Sequence, residues 1–188
     1  MLKTRDLHEV PVLFNLLSHP AVYPFVRQKA TTSDAYYFIT KQTIESEENG
    51  ELISRTILDE YSQPIGTINL FDIRENYGFL ATWIGEPYFG KGYNQHAKEA
   101  FFDELFYNLS IEGIFMKIKK TNMRSLKAIL KLPYVTAGNN AYPEVYQHIN
   151  QYENMYDLFV ISKDHYISYK QFANMEITGI VADGEDVS

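Results

Sequence analysis

Residues 83–94 read Trp83-Ile84-Gly85-Glu86-Pro87-Tyr88-Phe89-Gly90-Lys91-Gly92-Tyr93-Asn94. Gly90 and Gly92 flank a lysine, just past an apolar run and just before a long helical pattern. Each glycine loses more conformational freedom on ordering than any other residue and weakens a helix it enters. Two readings account for the pair: a strand-to-helix turn, or a backbone that must approach an anionic ligand closely. The second uses the unpaired N–H groups and positive dipole end of a helix start, a ready seat for phosphate. Two better-known phosphate loops are excluded by spacing. The P-loop needs Gly-Lys followed by Ser or Thr, whereas Lys91 precedes Gly92 and Tyr93 follows it. The dinucleotide fingerprint needs a third glycine where this chain has Gln95.

Working outward, Leu7, Val10, Leu13, Phe14, Leu16 and Leu17 share a helical face, so a first helix is expected from about His8 to before Pro20. A second is expected after Ser33 as N-cap, closing at Asn49-Gly50. The period then shortens. Strands are expected over 52–58 and 65–71, joined by a hairpin at 59–64, with a third over 78–84 leading into the quoted loop. Ala97, Ala100, Phe101, Leu105, Phe106 and Leu109 give a long helix, residues 114–118 a strand, and Leu126, Ile129 and Leu130 a helix ending before Pro133. Residues 145–149 and 156–161 read as two further strands. A helix and an acidic tail, Ala182 to Asp186, are expected after residue 164. The order α-α-β-β-β-α-β-α-β-β implies a mixed sheet with helices on both faces.

The 188 residues fit one domain, and 45% hydrophobic composition supports a sizeable core. No cysteine is present, which excludes disulfides and thiolate chemistry and fits a cytoplasmic location. The N-terminus lacks an apolar signal core, and no run is long enough to span a bilayer, so neither secretion nor membrane insertion is expected. A net charge of −7 disfavours nucleic acid and mildly favours a cationic partner. The five histidines, His8, His19, His96, His148 and His165, form no metal-ligand spacing, so no metal is expected.

The stretch Ile84-Gly85-Glu86-Pro87-Tyr88-Phe89-Gly90-Lys91-Gly92-Tyr93, then a helix ending Asp103-Glu104-Leu105-Phe106, a strand, and Thr121-Asn122-Met123-Arg124-Ser125-Leu126, resembles the GCN5-related N-acetyltransferases. The branch it looks most like contains the ribosomal-protein N-terminal acetyltransferases. The resemblance runs from about residue 5 to about residue 162 and is most specific between 77 and 134. It implies an α/β fold: a single domain with a mixed, mostly antiparallel sheet of six to seven strands and helices on both faces. Residues 1–163 would form that domain, with 164–188 as an appended helix and acidic tail.

The resemblance also implies acetyl-CoA as cosubstrate. The backbones of Trp83 and Ile84 would pair with its pantetheine arm, and the amides of Phe89, Gly90, Lys91, Gly92, Tyr93 and Asn94 would hold its pyrophosphate. Asn122 would touch the pantetheine, and Ser125 would face the thiolate leaving group. Attack of an amine on a thioester requires a neutral amine, a proton or donor for the sulfur, and a donor for the carbonyl oxygen. Glu144 is the candidate base, with Asp72 and Glu75 as competitors. The chain departs from the family pattern at Pro87, where Gln or Arg is common, and at Leu130-Lys131-Leu132-Pro133-Tyr134, which lacks a glycine. The reaction expected is direct transfer of acetyl to a primary amine in a ternary complex, the acceptor being a small-molecule amine or a protein N-terminus. The alternatives are a non-catalytic acyl-CoA-binding or regulatory module and a purely structural α/β protein. A homodimer is compatible with an open strand edge or the C-terminal segment.

Overall fold

A computed structural model describes residues 1–182, the side chains of Arg124 and of 176–182 excepted. Its contacts divide the chain into two compact units, Met1–Ile111 and residues from Glu112 onward.

The first unit opens with a short strand β1 (Leu2–Thr4), absent from the expected order because three residues carry no period. A 3-10 turn over Leu7–Glu9 feeds α1 (Val10–Leu17), with Pro11 tolerated in the first turn. Helix α2 (Ser33–Glu48) is capped by Thr32, not Ser33: the Thr32 hydroxyl accepts from the Ala35 amide. Strands β2 (Ile53–Leu58), β3 (Pro64–Arg74) and β4 (Tyr77–Ile84) follow, all antiparallel, with β1 beside β2. Helix α3 (Tyr93–Asp103) then runs into one π-helical turn, Glu104–Asn108.

Side chains alternate across β4, and this puts helices on both faces of these strands. Trp83 packs on the cluster of Val10, Leu13, Leu17 and Tyr36 contributed by α1 and α2. Its neighbour Thr82 points the other way and donates to Asn94 of α3 at 3.1 Å. On the Trp83 face the strands are polar: Ser54 donates to Asn69, and Thr56 donates to Glu9, all four buried. Lys3 of β1 meets the same Glu9 carboxylate at 2.6 Å, and that hydrogen bond raises the Lys3 pKa. Arg55, also buried, pairs with Glu47 at the end of α2 and with Glu104. Burial works against its charge, but the two carboxylates prevail and hold its pKa above the ordinary value.

The second unit contains β5 (Gly113–Lys119), α4 (Met123–Ile129), β6 (Thr136–Ala137), α5 (Pro143–Ile149), β7 (Tyr156–Ser162) and α6 (Lys163–Ala182). Here β7 pairs antiparallel with β5 on one side and β6 on the other. Ile114, Leu158, Val160 and Ile161 are buried, and Tyr134 stacks edge-on to Tyr166 of α6 at 5.2 Å.

The expected strand over 145–149 is a helix, and Glu144 therefore does not lie on a strand. Pro143 is pre-set for a first helical turn, and Tyr146 donates its amide to the Tyr142 carbonyl. The expected acidic tail lies largely outside the described residues. The α/β class holds, with seven strands among the described residues, all pairings within each unit antiparallel, and helices on both faces of the first unit's strands.

Candidate active site: the β4–α3 loop and the α4 cap

Strand β4 ends at Ile84 because the chain turns away through a 3-10 turn, Glu86–Tyr88. Its last residues are held close to β3: a Cβ on Gly66 would lie 2.2 Å from the Trp83 carbonyl oxygen, so only glycine fits there. Beyond the turn, Gly90 and Gly92 have φ of +73° and +85°, the left-handed region that side chains disfavour. A Cβ on Gly90 would meet nothing within 4 Å. The surface over that glycine is open, and backbone conformation, not crowding, selects the residue.

Gly92 is also the N-cap of α3, and no side chain caps that helix. By contrast, α2 and α4 have side-chain caps, and α1 and α5 begin with a proline in the first turn. Among the described residues, the amides of Gly90, Lys91, Gly92, Tyr93 and Asn94 donate to no acceptor of the protein, whereas the Phe89 amide is taken by the Glu86 carbonyl. Five consecutive donors thus remain at the positive end of a helix dipole. Of the six amides expected to hold a pyrophosphate, five are unpaired and that of Phe89 is not.

Side chains tie this loop in place. The Tyr93 hydroxyl donates to the Glu60 carboxylate, and the Tyr93 ring stands edge-on to Tyr88 at 5.7 Å. That hydrogen bond pushes the Tyr93 pKa up to about 12 and lowers that of Glu60. Lys91 places its Nζ 5.8 Å above the Tyr88 ring.

In the second unit, Asn122 and Ser125 sit together for a reason the motif alone did not disclose. The Asn122 side-chain oxygen accepts from the Ser125 amide at 3.1 Å, so Asn122 is the N-cap of α4 and Ser125 its third helical residue. The Asn122 side-chain NH2 and the Ser125 hydroxyl have no partner among the described residues and remain available. Glu144 is exposed in the first turn of α5. Asp72 is paired with Arg27 at 2.6 Å, and Glu75 lies in the β3–β4 turn at the opposite end of β4 from the glycine loop. Tyr146 bonds Lys120 and Asn154, and Tyr142 stacks on Phe115, so both are held by packing.

Similarity to known proteins decides the family. The profile of the acetyltransferase (GNAT) domain matches residues 1–134. The chain belongs to the GNAT acetyltransferase family. Among solved structures, this GNAT chain is similar to a nucleotide-linked sugar GNAT at 18% identity, covering 92% of each chain with TM-score 0.69. It is also similar to ribosomal-protein-S5-alanine acetyltransferase from Vibrio fischeri, at 16% identity over 87% of this chain and 92% of that one, TM-score 0.66. A spermidine N-acetyltransferase chimera including Vibrio cholerae sequence aligns at 11% identity over 89% and 97%, TM-score 0.67. No curated protein matches this GNAT chain at the sequence level. Identities this low speak for the fold, and the ribosomal branch suggested by the motifs is represented among these neighbours. Among the described residues, no helix is long and apolar enough to cross a membrane.

Proposed function

We propose that this GNAT chain is an acetyl-CoA-dependent N-acetyltransferase that transfers acetyl to a primary amine by direct attack in a ternary complex. The observation that carries the reading is the set of five unpaired amides, Gly90 to Asn94, at the uncapped start of α3. Their donors and the open surface over Gly90 fit a pyrophosphate, and the family supplies acetyl-CoA as its source. When bound, acetyl-CoA supplies an activated thioester. The chain's own groups do the rest. The backbone at Trp83 and Ile84 aligns the pantetheine arm and offers an N–H to the carbonyl oxygen as charge develops. The Asn122 side-chain NH2 holds the arm, and the free Ser125 hydroxyl donates to the departing sulfur. Glu144 is the proposed proton acceptor, acting from an exposed first helical turn.

The acceptor is a small-molecule amine or a protein N-terminus, and the net charge of −7 supports a cationic one over nucleic acid. The reading includes a cytoplasmic setting, a homodimer, and residues 1–163 as the working domain with the remainder appended. The exposed position of Glu144 favours a second reading, an acyl-CoA-binding module that does not transfer. Calorimetric titration with acetyl-CoA, CoA and ATP, followed by an acceptor screen for release of free CoA, tests both. Binding of both CoA forms with amine-dependent release supports transfer, and binding without release supports the module. Failure to bind either CoA form removes both readings.

A further inference from the structure

Backbone bonds hold the two ends of the loop, Phe89 to Glu86 and both Gln95 and His96 to the Gly92 carbonyl, while the five cradle N–H groups themselves are unpaired, so side chains add to what fixes their direction. Besides the Tyr88 contacts within the loop, two side-chain hydrogen bonds tie it to other elements among the described residues. Thr82 of β4 holds Asn94, and Glu60 holds Tyr93. The second is the unusual one. Glu60 lies 33 residues away, on the β2–β3 hairpin, and a carboxylate beside an anion seat would ordinarily oppose its ligand.

That hairpin is built to keep Glu60 in place. The buried Asp59 side chain accepts from the Tyr61 and Gln63 amides at 2.9 and 2.8 Å. The Asp59 backbone closes the turn with Gln63 at 3.0 Å, and Ser62 takes the left-handed conformation. Tyr93 lines an open pocket of about 430 Å³ together with Met1, Ile57, Leu58, Asp59, Glu60 and His96. Tyr93 opens α3, and its amide and that of Asn94 are two of the five donors, so a shift of Tyr93 displaces part of the set.

We propose that Glu60 is a positioning residue for the phosphate cradle: by accepting from the Tyr93 hydroxyl it fixes the first turn of α3, so that the amides of Gly90 to Asn94 converge before ligand arrives. Prepaying this order strengthens binding without adding a contact. Its role is geometric, and its charge is an incidental liability. The inference rests on the cofactor reading of the loop given above.

The test separates geometry from charge. Acetyl-CoA affinity and steady-state kinetics are measured for the wild type, Glu60→Ala, Glu60→Gln, Tyr93→Phe and the Glu60→Ala/Tyr93→Phe pair. Backbone order parameters at Gly90 to Asn94 are measured by 15N NMR relaxation without ligand. Glu60→Ala and Tyr93→Phe should each weaken binding about tenfold, raising KM for acetyl-CoA with kcat unchanged, and the pair should lose no more than either alone. Glu60→Gln keeps an acceptor and drops the charge, so it should bind at least as tightly as the wild type. Order parameters of the loop amides should fall in the first two variants and not in Glu60→Gln. If Glu60→Ala and Glu60→Gln both tighten binding, charge alone is at work and the proposal falls. Unchanged order parameters in Glu60→Ala and Tyr93→Phe also overturn it. A wild type that does not bind acetyl-CoA defeats the cofactor reading instead, and the relaxation data then decide alone whether Glu60 orders the loop.

Discussion

At the scale of single residues, Gly90 is where conformation and chemistry meet. Its φ of +73° was legible in the sequence as a need for glycine, and the open space above it was not. Because no atom lies within 4 Å of a Cβ there, Gly90→Val faces backbone strain of about 1–2 kcal/mol and no clash with the protein. The variant should stay folded by circular dichroism while CoA affinity falls at least tenfold, since its side chain projects over the amides. Full retention of affinity would take the loop out of cofactor binding. Lys98 is the opposite case, a residue the sequence hid. It sits half-buried on α3 with no ion-pair or hydrogen-bond partner among the described residues, and burial lowers its pKa. Lys98→Met should therefore raise stability by about 1 kcal/mol near neutral pH, seen as a higher midpoint in urea. The sign with pH follows from linkage. Below the folded-state pKa the penalty on the ammonium is complete. As pH rises from there towards the ordinary value of 10.5, the unfolded chain holds the proton longer, so wild-type stability climbs and the advantage of Met shrinks. An advantage that does not vary with pH would mean that methionine gains by packing alone.

Among elements, α4 gives two residues of one motif distinct tasks. Asn122 caps the helix through its oxygen, and the Ser125 contribution to that cap is a backbone amide. Asn122→Ala should lose about 1 kcal/mol of stability, and Asn122→Asp should restore most of it, because an aspartate also accepts the capping bond. Aspartate has no NH2 to offer, so turnover should stay low in both variants if that group holds the pantetheine arm. Ser125→Ala leaves the cap intact: its melting temperature should match the wild type while kcat drops, and an unchanged kcat would remove the hydroxyl from the reaction. The same region shows why some elements escaped sequence reading. Residues 145–149 contain an apolar alternation that suits a strand, but Pro143 starts a helix, and the seven-residue α5 is too short to display its own period. Strands β1 and β6, with three and two residues, fall below any period at all. Long runs such as β2, β3 and α3 were legible because burial repeats along them.

For the molecule as a whole, pairings between distant residues were the least legible feature and carry much of the organisation. Arg55 joins α2, β2 and the turn after α3 through Glu47 and Glu104, with 10% of its side chain exposed. Arg55→Ala leaves two carboxylates facing each other and should cost about 3 kcal/mol, measured by chemical denaturation. A loss below about 1 kcal/mol would show that the pair is solvated in practice. Neither this triad nor Glu60–Tyr93 has a spacing that a sequence pattern can register, since hairpin and helix geometry bring the partners together. Acetyl-CoA at a hundred times its Kd should raise the melting temperature by about 5–10 °C, following the roughly 2.7 kcal/mol that mass action supplies. The uncapped start of α3 gives this number a biological reading. A protease probing the ligand-free chain meets a largely exposed segment, Glu86–Gly92, whose glycine N–H groups are unpaired. If the chain binds acyl-CoA as proposed, its resistance to cleavage in this segment should rise and fall with the ligand supplied.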